Sequence, residues 1–198
     1  SPWEGKAMAS RNSCWKDENL LELGRKKQPL IKIEGKRLPA KSISVFKDKN
    51  PSGWYLSGWK GGDMKISKDG KDACLELSSK GAGGASYQTK RREAVIDLGS
   101  HEKAKWSLQM KIRCAAGQSY GDLKMKVLSM DEEIRTKEVA LPAKLDGSVS
   151  DWQEVKIPLS SFLEDSKREL DSFSGFSIRT AGEFKSPLLI DQVTLEPK

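Results

Sequence analysis

The stretch KWSLQMKIRC, residues 105–114, alternates polar and apolar side chains along its whole length. The apolar side chains that fall on one face are Trp106, Leu108, Met110, Ile112 and Cys114. The polar side chains that fall on the other face are Lys105, Ser107, Gln109, Lys111 and Arg113. Because successive side chains of a β-strand point to opposite faces of the sheet, the stretch predicts an antiparallel strand with one face in the core and the other in solvent.

Segments of the same kind occur on both sides of this strand. They include SISVF (42–46), ACLELSS (73–79), FSIRT (176–180) and LLIDQVTL (188–195). Stretches rich in Gly and Asp, which favour turns, separate them. Many short strands with scarcely any helix predict an all-β protein, an antiparallel β-sandwich of jelly-roll type with one or two short helical segments.

The chain is predicted to have two parts. Residues 1–40 are expected to form an irregular lead-in with a short helix near Asp17 and an edge strand, and residues 41–198 the β-sandwich domain. A further helical pattern, SSFLEDSKREL (160–170), is expected to begin at Ser160 or Ser161. No apolar run approaches the roughly 18 residues that cross a membrane, so no membrane insertion is expected. No signal-peptide pattern is visible.

The formal net charge of +7 comes from lysines and arginines spread along the 198 residues. Such a balance is compatible with an anionic partner, but it is equally typical of a solvated, lysine-rich surface. A nucleic-acid partner is not expected, because the alternating basic and aromatic motif of an RNA-binding sheet is missing from the sequence.

The three cysteines, Cys14, Cys74 and Cys114, lie far apart, and the chain has one histidine, His101. No C-x-x-C motif occurs, so a Cys/His zinc site is not expected. One disulfide plus one free thiol is compatible with these three cysteines, and the sequence does not choose a pairing.

The C-terminal half carries three motifs in succession: DWQEVKIPLSSF (151–162), LDSFSGFSIRT (170–180) and SPLLIDQVTLE (186–196). Together they resemble the galactose-binding-domain-like β-sandwich family of carbohydrate-binding modules, over roughly residues 43–197. The resemblance implies a jelly roll that binds a polysaccharide or oligosaccharide without catalysis. It also implies an extracellular or periplasmic location, with other domains of a larger secreted protein as partners. The mitochondrial complex I assembly factor family has a similar arrangement around DWQEVKIPLSSF.

The same resemblance implies a structural calcium ion at the edge of the sheet. An acid on the last strand, acids near the first strand and loop carbonyls hold this ion in the family. Asp191 corresponds to the first role, Asp48 to the second, and Asp69 and Asp72 lie in the loop region. Calcium takes six to eight oxygen ligands, which acids and carbonyls can supply. Alternatively, Asp191 accepts hydrogen bonds at the rim of the sheet with no ion, and both interpretations stay open.

Two groups of residues are candidates for binding a glycan. The polar faces of the central strands carry Tyr87, Gln109, Lys111, Arg113 and Arg179. If these strands are neighbours, the side chains form a groove suited to a carboxylated or sulfated glycan, because guanidinium groups bind oxyanions in a bidentate manner.

The second group is the aromatic segment PSGWYLSGWKGG (51–62), which contains Trp54, Tyr55 and Trp59. These three aromatic residues are expected either to form a binding platform on a loop or to close one end of the core. Trp106 is expected in the core because it shares a face with Leu108, and Trp152 is expected to have a structural role.

A non-catalytic protein is favoured over an enzyme. His101 lies in a turn, GSHEKAK (99–105), and the motifs G-x-S-x-G, H-E-x-x-H and the P-loop do not occur. Two alternatives stay open: a polysaccharide lyase or glycosidase on a jelly-roll fold, and a protein-interaction sandwich resembling the complex I assembly factors.

Overall fold

A computed structural model describes residues 36–198. The chain divides into two compact units, Ser1–Arg37 and Leu38–Lys198. The predicted helix near Asp17 and most of the predicted lead-in lie outside the described residues, which belong almost entirely to the second unit.

Two antiparallel sheets form this unit. The six-stranded sheet contains β1 (Ile43–Phe46), β3 (Gly62–Asp69), β4 (Asp72–Ser79), β7 (Trp106–Arg113), β10 (Gln153–Pro158) and β13 (Leu188–Pro197). The five-stranded sheet contains β2 (Trp54–Trp59), β5 (Gly84–Thr89), β8 (Lys124–Leu128), β9 (Val139–Ala140) and β12 (Gly175–Arg179). A small ribbon pairs β6 (Ile96–Asp97) with β11 (Ser172–Phe173).

The strand orders place residues far apart in sequence side by side. In the six-stranded sheet the order is β10-β7-β13-β4-β3, and β1 pairs with β13. In the five-stranded sheet the order is β2-β5-β12-β8-β9. The prediction of an all-β, antiparallel sandwich of jelly-roll type is confirmed.

The core lies between the two sheets. On β7, Leu108 and Ile112 are fully buried, and on β12 Phe176 and Ile178 are equally so. All four belong to one continuous apolar cluster. Trp106 is 8% exposed and belongs to the same cluster, as the alternation on its strand predicts.

The predicted helix at residues 160–170 is replaced by a single 3₁₀ turn, Leu159–Phe162. Pro158 occupies the cap position, and no side chain caps the turn, so the prediction that Ser160 or Ser161 begins a helix is wrong. Leu159 and Phe162 are the buried residues of this turn. In a 3₁₀ turn residues three apart lie on one side, so the turn directs both side chains into the core. A second 3₁₀ turn spans Arg92–Ala94.

Two further features concern location and redox chemistry. Within residues 36–198 no helix is long and apolar enough to cross a membrane. Cys74 and Cys114 are both buried and both free thiols, and burial raises the pKa of each thiol. These two cysteines therefore form no disulfide with each other, and Cys14 lies outside the described residues.

Replacing Leu108 with alanine tests the position of the core. We expect Leu108→Ala to lower the free energy of unfolding by about 2–5 kcal/mol, because a fully buried leucine leaves a cavity. The matched control is Ile66→Ala on β3, since Ile66 is 37% exposed. Urea denaturation measures both, and equal effects of the two substitutions would contradict the assigned core.

Candidate functional site

Tyr87 does not lie on the polar face where it was predicted. It is fully buried, and its ring stacks on Trp54 with ring centres 5.1 Å apart. Its hydroxyl donates a hydrogen bond to Asn50 Oδ1 at 2.9 Å, and burial raises the pKa of Tyr87 far above its usual value. The prediction was wrong because Tyr87 shares the inward face of β5 with Ala85, whereas Ser86 and Gln88 face outward.

The predicted groove of Tyr87, Gln109, Lys111, Arg113 and Arg179 is not formed. Gln109, Lys111 and Arg113 lie on the outer face of the six-stranded sheet, because the alternate residues of β7 are buried. Arg179 ends β12, which belongs to the five-stranded sheet. The outer faces of a sandwich point in opposite directions, so these residues cannot bind one ligand together.

The aromatic segment forms strand β2 rather than a loop, and this divides its three aromatic residues. Trp54 is 7% exposed and belongs to the core. Tyr55 is half-buried and Trp59 is 39% exposed, and both point away from the core. The interpretation that the aromatic residues close one end of the core is correct for Trp54. The loop expected for a binding platform is a strand instead, and ligand binding by Tyr55 and Trp59 stays a prediction.

The strand register arranges the outward residues of the five-stranded sheet in three rows that cross the strands. The first row is Trp59, Gly84, Arg179 and Lys124. The middle row is Ser57, Ser86, Ser177 and Lys126. The third row is Tyr55, Gln88, Gly175 and Leu128. Three serines form most of the middle row, of which Ser86 is only 3% exposed. We call the outward surface formed by these three rows the cross-strand trough.

The Trp59 indole packs against Gly84 of the neighbouring strand at one side of the cross-strand trough. A β-carbon added to Gly84 would lie 2.2 Å from the indole Cζ2 atom, so the ring covers the bare α-carbon of this glycine. On the other side, Gln88 donates its amide to Ser86 Oγ at 2.7 Å. The trough therefore presents an exposed indole beside hydroxyl and amide groups.

Buried hydroxyl groups hold the loop next to Trp59 in place. Thr180 Oγ1 accepts a hydrogen bond from the Gly83 N–H at 3.2 Å and contacts Ser79 Oγ at 2.9 Å. It also donates to the Gly81 carbonyl at 3.0 Å. A β-carbon on Gly83 would lie 2.3 Å from the Trp59 carbonyl oxygen, so the loop and the end of β2 are in direct backbone contact.

The outer face of the six-stranded sheet carries a different arrangement. Asp69 forms an ion pair with Arg113 at 2.8 Å, and the Arg113 guanidinium lies 5.0 Å from the Trp152 ring centre. Two strands separate β7 from β3, which would keep them roughly 14 Å apart in a flat sheet. The long Arg113 side chain therefore crosses the outer face to reach the end of the β3–β4 hairpin.

A pocket of about 120 Å³ lies beside the end of the β3–β4 hairpin. Its lining consists of Asp69, Asp72, Ala73, Cys74, Lys111, Trp152, Asp191 and Gln192. Three of the four predicted calcium ligands thus contribute to one pocket. The fourth, Asp48, is close enough for its charge to raise the pKa of Asp191.

Asp191 is half-buried and lies at an irregularity of β13. The register with β7 shifts between Asp191 and Thr194, and Gln192 has φ of 50°. The Gln192 N–H donates to Asp191 Oδ1 at 2.7 Å. Burial raises the pKa of Asp191, and the negative charges of Asp48 and Asp72 raise it further, against the opposing effects of this hydrogen bond and Lys111.

The predicted ligand set fits calcium in its chemistry and only partly in its geometry. Asp48, Asp72 and Asp191 offer the oxygen atoms that calcium prefers, and a cation would relieve the repulsion among them. In the part of the chain that the structure describes, however, no three His, Cys, Asp or Glu side chains are grouped to hold one ion. Asp69 is already paired with Arg113.

His101 has a structural environment. Its Nδ1 atom lies 2.9 Å from the Asp97 carbonyl oxygen, and its ring meets the Trp106 ring edge to face with centres 5.6 Å apart. It lies neither in the cross-strand trough nor in the pocket beside Asp191.

Comparison with known proteins rests on structure alone, because no protein-family model and no curated sequence matches the chain. The family 11 carbohydrate-binding module of the cellulosomal cellulase Lic26A-Cel5E of Clostridium thermocellum superposes with a TM-score of 0.53 and 14% identity, over 80% of this chain and 96% of that one. The same kind of module in complex with a β-1,3-1,4-mixed-linked tetrasaccharide gives a TM-score of 0.51 and 13% identity, over 78% and 95%.

The family 30 module of the cellulosomal cellulase Cel9D-Cel44B of Clostridium thermocellum is a further structural neighbour. It gives a TM-score of 0.51 and 16% identity, over 78% of this chain and 96% of that one. This chain has the jelly-roll fold of carbohydrate-binding modules. At these identities the likeness establishes the fold, and it confirms the architecture that the C-terminal motifs predicted.

The jelly roll also presents residues that sequence reasoning missed. Ser57, Ser86, Gln88, Ser177 and Lys126 line the cross-strand trough, and none of them was a candidate. The signal was present in the segment WYLSGW, where Tyr55, Ser57 and Trp59 alternate with the inward residues of a strand. Treating this segment as a strand would have placed these three residues on one outward face.

Thr180 provides a test of the anchored loop. We expect Thr180→Val to lower the free energy of unfolding by about 1–3 kcal/mol, because it leaves the buried Gly83 N–H without its acceptor. Thr180→Ser keeps the hydroxyl and is the matched control. Urea denaturation compares them, and equal losses for the valine and serine variants would show that the hydroxyl does not hold the loop.

Proposed function

We propose that this domain binds a polysaccharide or oligosaccharide without catalysis, in the cross-strand trough of the five-stranded sheet. The observation that carries the proposal is the position of Trp59, whose indole packs on Gly84 while 39% of the residue remains exposed. The C–H face of a pyranose ring can pack on such a flat aromatic surface, and burying the ring removes apolar area from water.

The polar groups of the trough suit the hydroxyls of a sugar. Ser57 and Ser177 are half-buried and lie in the middle row, and Gln88 lies beside them in the third row. Hydroxyl and amide groups both donate and accept hydrogen bonds, as sugar hydroxyls do. Tyr55 adds a second half-buried aromatic residue at the start of β2.

The shape of the trough favours a chain of sugars over a single one. It crosses four strands from β2 to β8, which spans roughly 14 Å at the usual strand spacing. One structural neighbour is a module in complex with a tetrasaccharide, which supports the proposal by analogy. We propose an acidic polysaccharide as the ligand, because Lys124 and Lys126 lie at the far end of the trough.

This function is consistent with an extracellular or periplasmic location, where polysaccharides are accessible. We propose that location, together with other domains of a larger secreted protein as partners. The lyase, glycosidase and assembly-factor alternatives stay predictions.

Trp59→Ala is the direct test of the proposed function. We expect this variant to lose at least about tenfold in affinity for soluble polysaccharides, since stacking of a sugar on the indole is removed. Affinity electrophoresis against neutral and acidic polysaccharides measures the effect, and thermal melting verifies that the variant is folded.

Trp152→Ala is the control, because Trp152 lies on the other sheet beneath Arg113. We expect it to leave polysaccharide binding unchanged. Equal binding by the native domain and the Trp59 variant would remove the trough as the binding site. A native domain that binds no polysaccharide would favour the protein-interaction alternative.

We further propose a structural calcium ion beside Asp191, with Asp72 of the same pocket and Asp48 as further ligands. Because the described residues do not group three such side chains around one point, ion binding has to draw these carboxylates together. The raised pKa of Asp191 supports this, because it arises from burial and from the charges of the two other acids. A bound cation would stabilise the folded state by mass action, by about 2.7 kcal/mol at a calcium concentration one hundred times the Kd.

Asp191→Asn distinguishes a bound calcium ion from the alternative in which Asp191 accepts hydrogen bonds at the rim of the sheet with no ion. In EDTA no ion offsets the charge of Asp191, whose pKa is raised in the folded protein. The ionised carboxylate therefore lowers the free energy of unfolding at a pH above this raised pKa. The loss disappears once the pH falls below about 4, the ordinary pKa of an aspartate. We therefore expect the asparagine variant to melt higher than the native domain at pH 7 in EDTA, and the difference to vanish toward acid.

Addition of calcium should reverse that order. We expect calcium to raise the melting temperature of the native domain and to leave the Asp191→Asn variant unchanged. No calcium response of the native domain, with no ion found by metal analysis, would exclude the proposed ion.

A further inference from the structure

We propose that Lys126 determines specificity for a carboxylated or sulfated glycan in the cross-strand trough. This inference rests on the proposed function, since it requires that a glycan lies on Trp59. Lys126 continues the row of Ser57, Ser86 and Ser177, and it is the first charged residue of that row.

The position of Lys126 suits an anionic group at one end of a bound chain. It is half-buried on β8, three strands away from β2. A sugar chain that begins on Trp59 and follows the trough would reach this residue after roughly 14 Å. Serine hydroxyls line the intervening path, so the lysine marks a change from neutral to charged surroundings.

The charges near this end of the trough favour an anion. Arg179 is paired with Glu138 at 2.5 Å, so the carboxylate of Glu138 offsets the charge of this arginine. Lys124 and Lys126 form no ion pair within residues 36–198. Asp122 lies in the loop before β8, beyond Lys124. Among residues 36–198 these two ammonium groups therefore leave a positive charge along the first and middle rows.

The opposite sheet has the reverse balance. Its outer face carries the acids Asp69, Asp72, Glu76, Asp191 and Glu154. Its basic residues include Arg113 and Lys65, which are bound to Asp69 and Glu76 respectively. The charge is thus not uniform over the described residues, and their basic side chains without an ion pair among residues 36–198 include those of the trough.

Because Lys126 is half-buried, it discriminates between anionic and neutral glycans rather than attracting any anion over a distance. A fully exposed ion pair contributes only about 0.2–1 kcal/mol, because water and salt screen it. A bound glycan displaces water from Lys126. An anionic substituent then replaces the lost hydrogen bonds, whereas a neutral chain leaves the ammonium group less well solvated.

The test uses one backbone with and without charge: mixed-linked β-1,3-1,4-glucan and its C6-carboxylated derivative. We expect the native domain to bind the carboxylated glucan about fivefold more tightly than the parent at low salt, and this preference to fall as salt is added. Lys126→Gln should bring the two affinities within about twofold of each other. Lys126→Arg, which keeps the charge, should retain the preference.

Lys156→Gln is the matched control, because Lys156 is an exposed lysine on the outer face of the six-stranded sheet. Equal effects of the Lys126 and Lys156 glutamine variants, or a native domain that binds both glucans equally, would overturn the role of Lys126 while leaving glycan binding intact. Trp59→Ala separates the two proposals, since it should weaken binding of both glucans. A native domain that binds neither glucan contradicts both proposals.

Discussion

The burial of two apolar sheet faces against each other is the constraint on which the rest of this molecule depends. A slip of one residue in any strand would turn its buried side chains to solvent. Each buried leucine or phenylalanine contributes about 1.5–3 kcal/mol, so the core fixes which residues of each strand face outward. Tyr55 and Trp59 are therefore on the surface because Trp54 and Leu56 face the core.

The architecture could be predicted from the sequence. The buried and exposed faces of one strand could also be predicted, because the alternation in residues 105–114 is unbroken. The same logic failed at Tyr87, since tyrosine and threonine suit both faces of a strand. Thr89, next on the same side, is 2% exposed and donates its hydroxyl to the Gly53 carbonyl at 2.8 Å. A polar side chain that satisfies its hydrogen bonds inside the core is not distinguishable by pattern from one in water.

The sequence also does not reveal which sheet a strand joins. Arg113 and Arg179 each follow the same local rule, yet they lie on opposite sides of the sandwich. Two features of the outer face depend on contacts between distant segments: the ion pair of Asp69 with Arg113 and the irregularity at Gln192. Local periodicity carries no information about such contacts, so the candidate site was predicted in part and assembled incorrectly.

The contact between Trp59 and Gly84 has an energetic consequence for any ligand of this surface. An indole that moves freely in the unbound protein loses rotamer freedom when a ligand arrives, at a cost of about 0.5–1.5 kcal/mol. Here the backbone of Gly84 already restricts the ring, so that entropy is lost during folding. The absence of one β-carbon on β5 therefore lets the Trp59 ring be ordered before a ligand binds. Stacking of a ligand on this ring is then not offset by the entropy cost of ordering it.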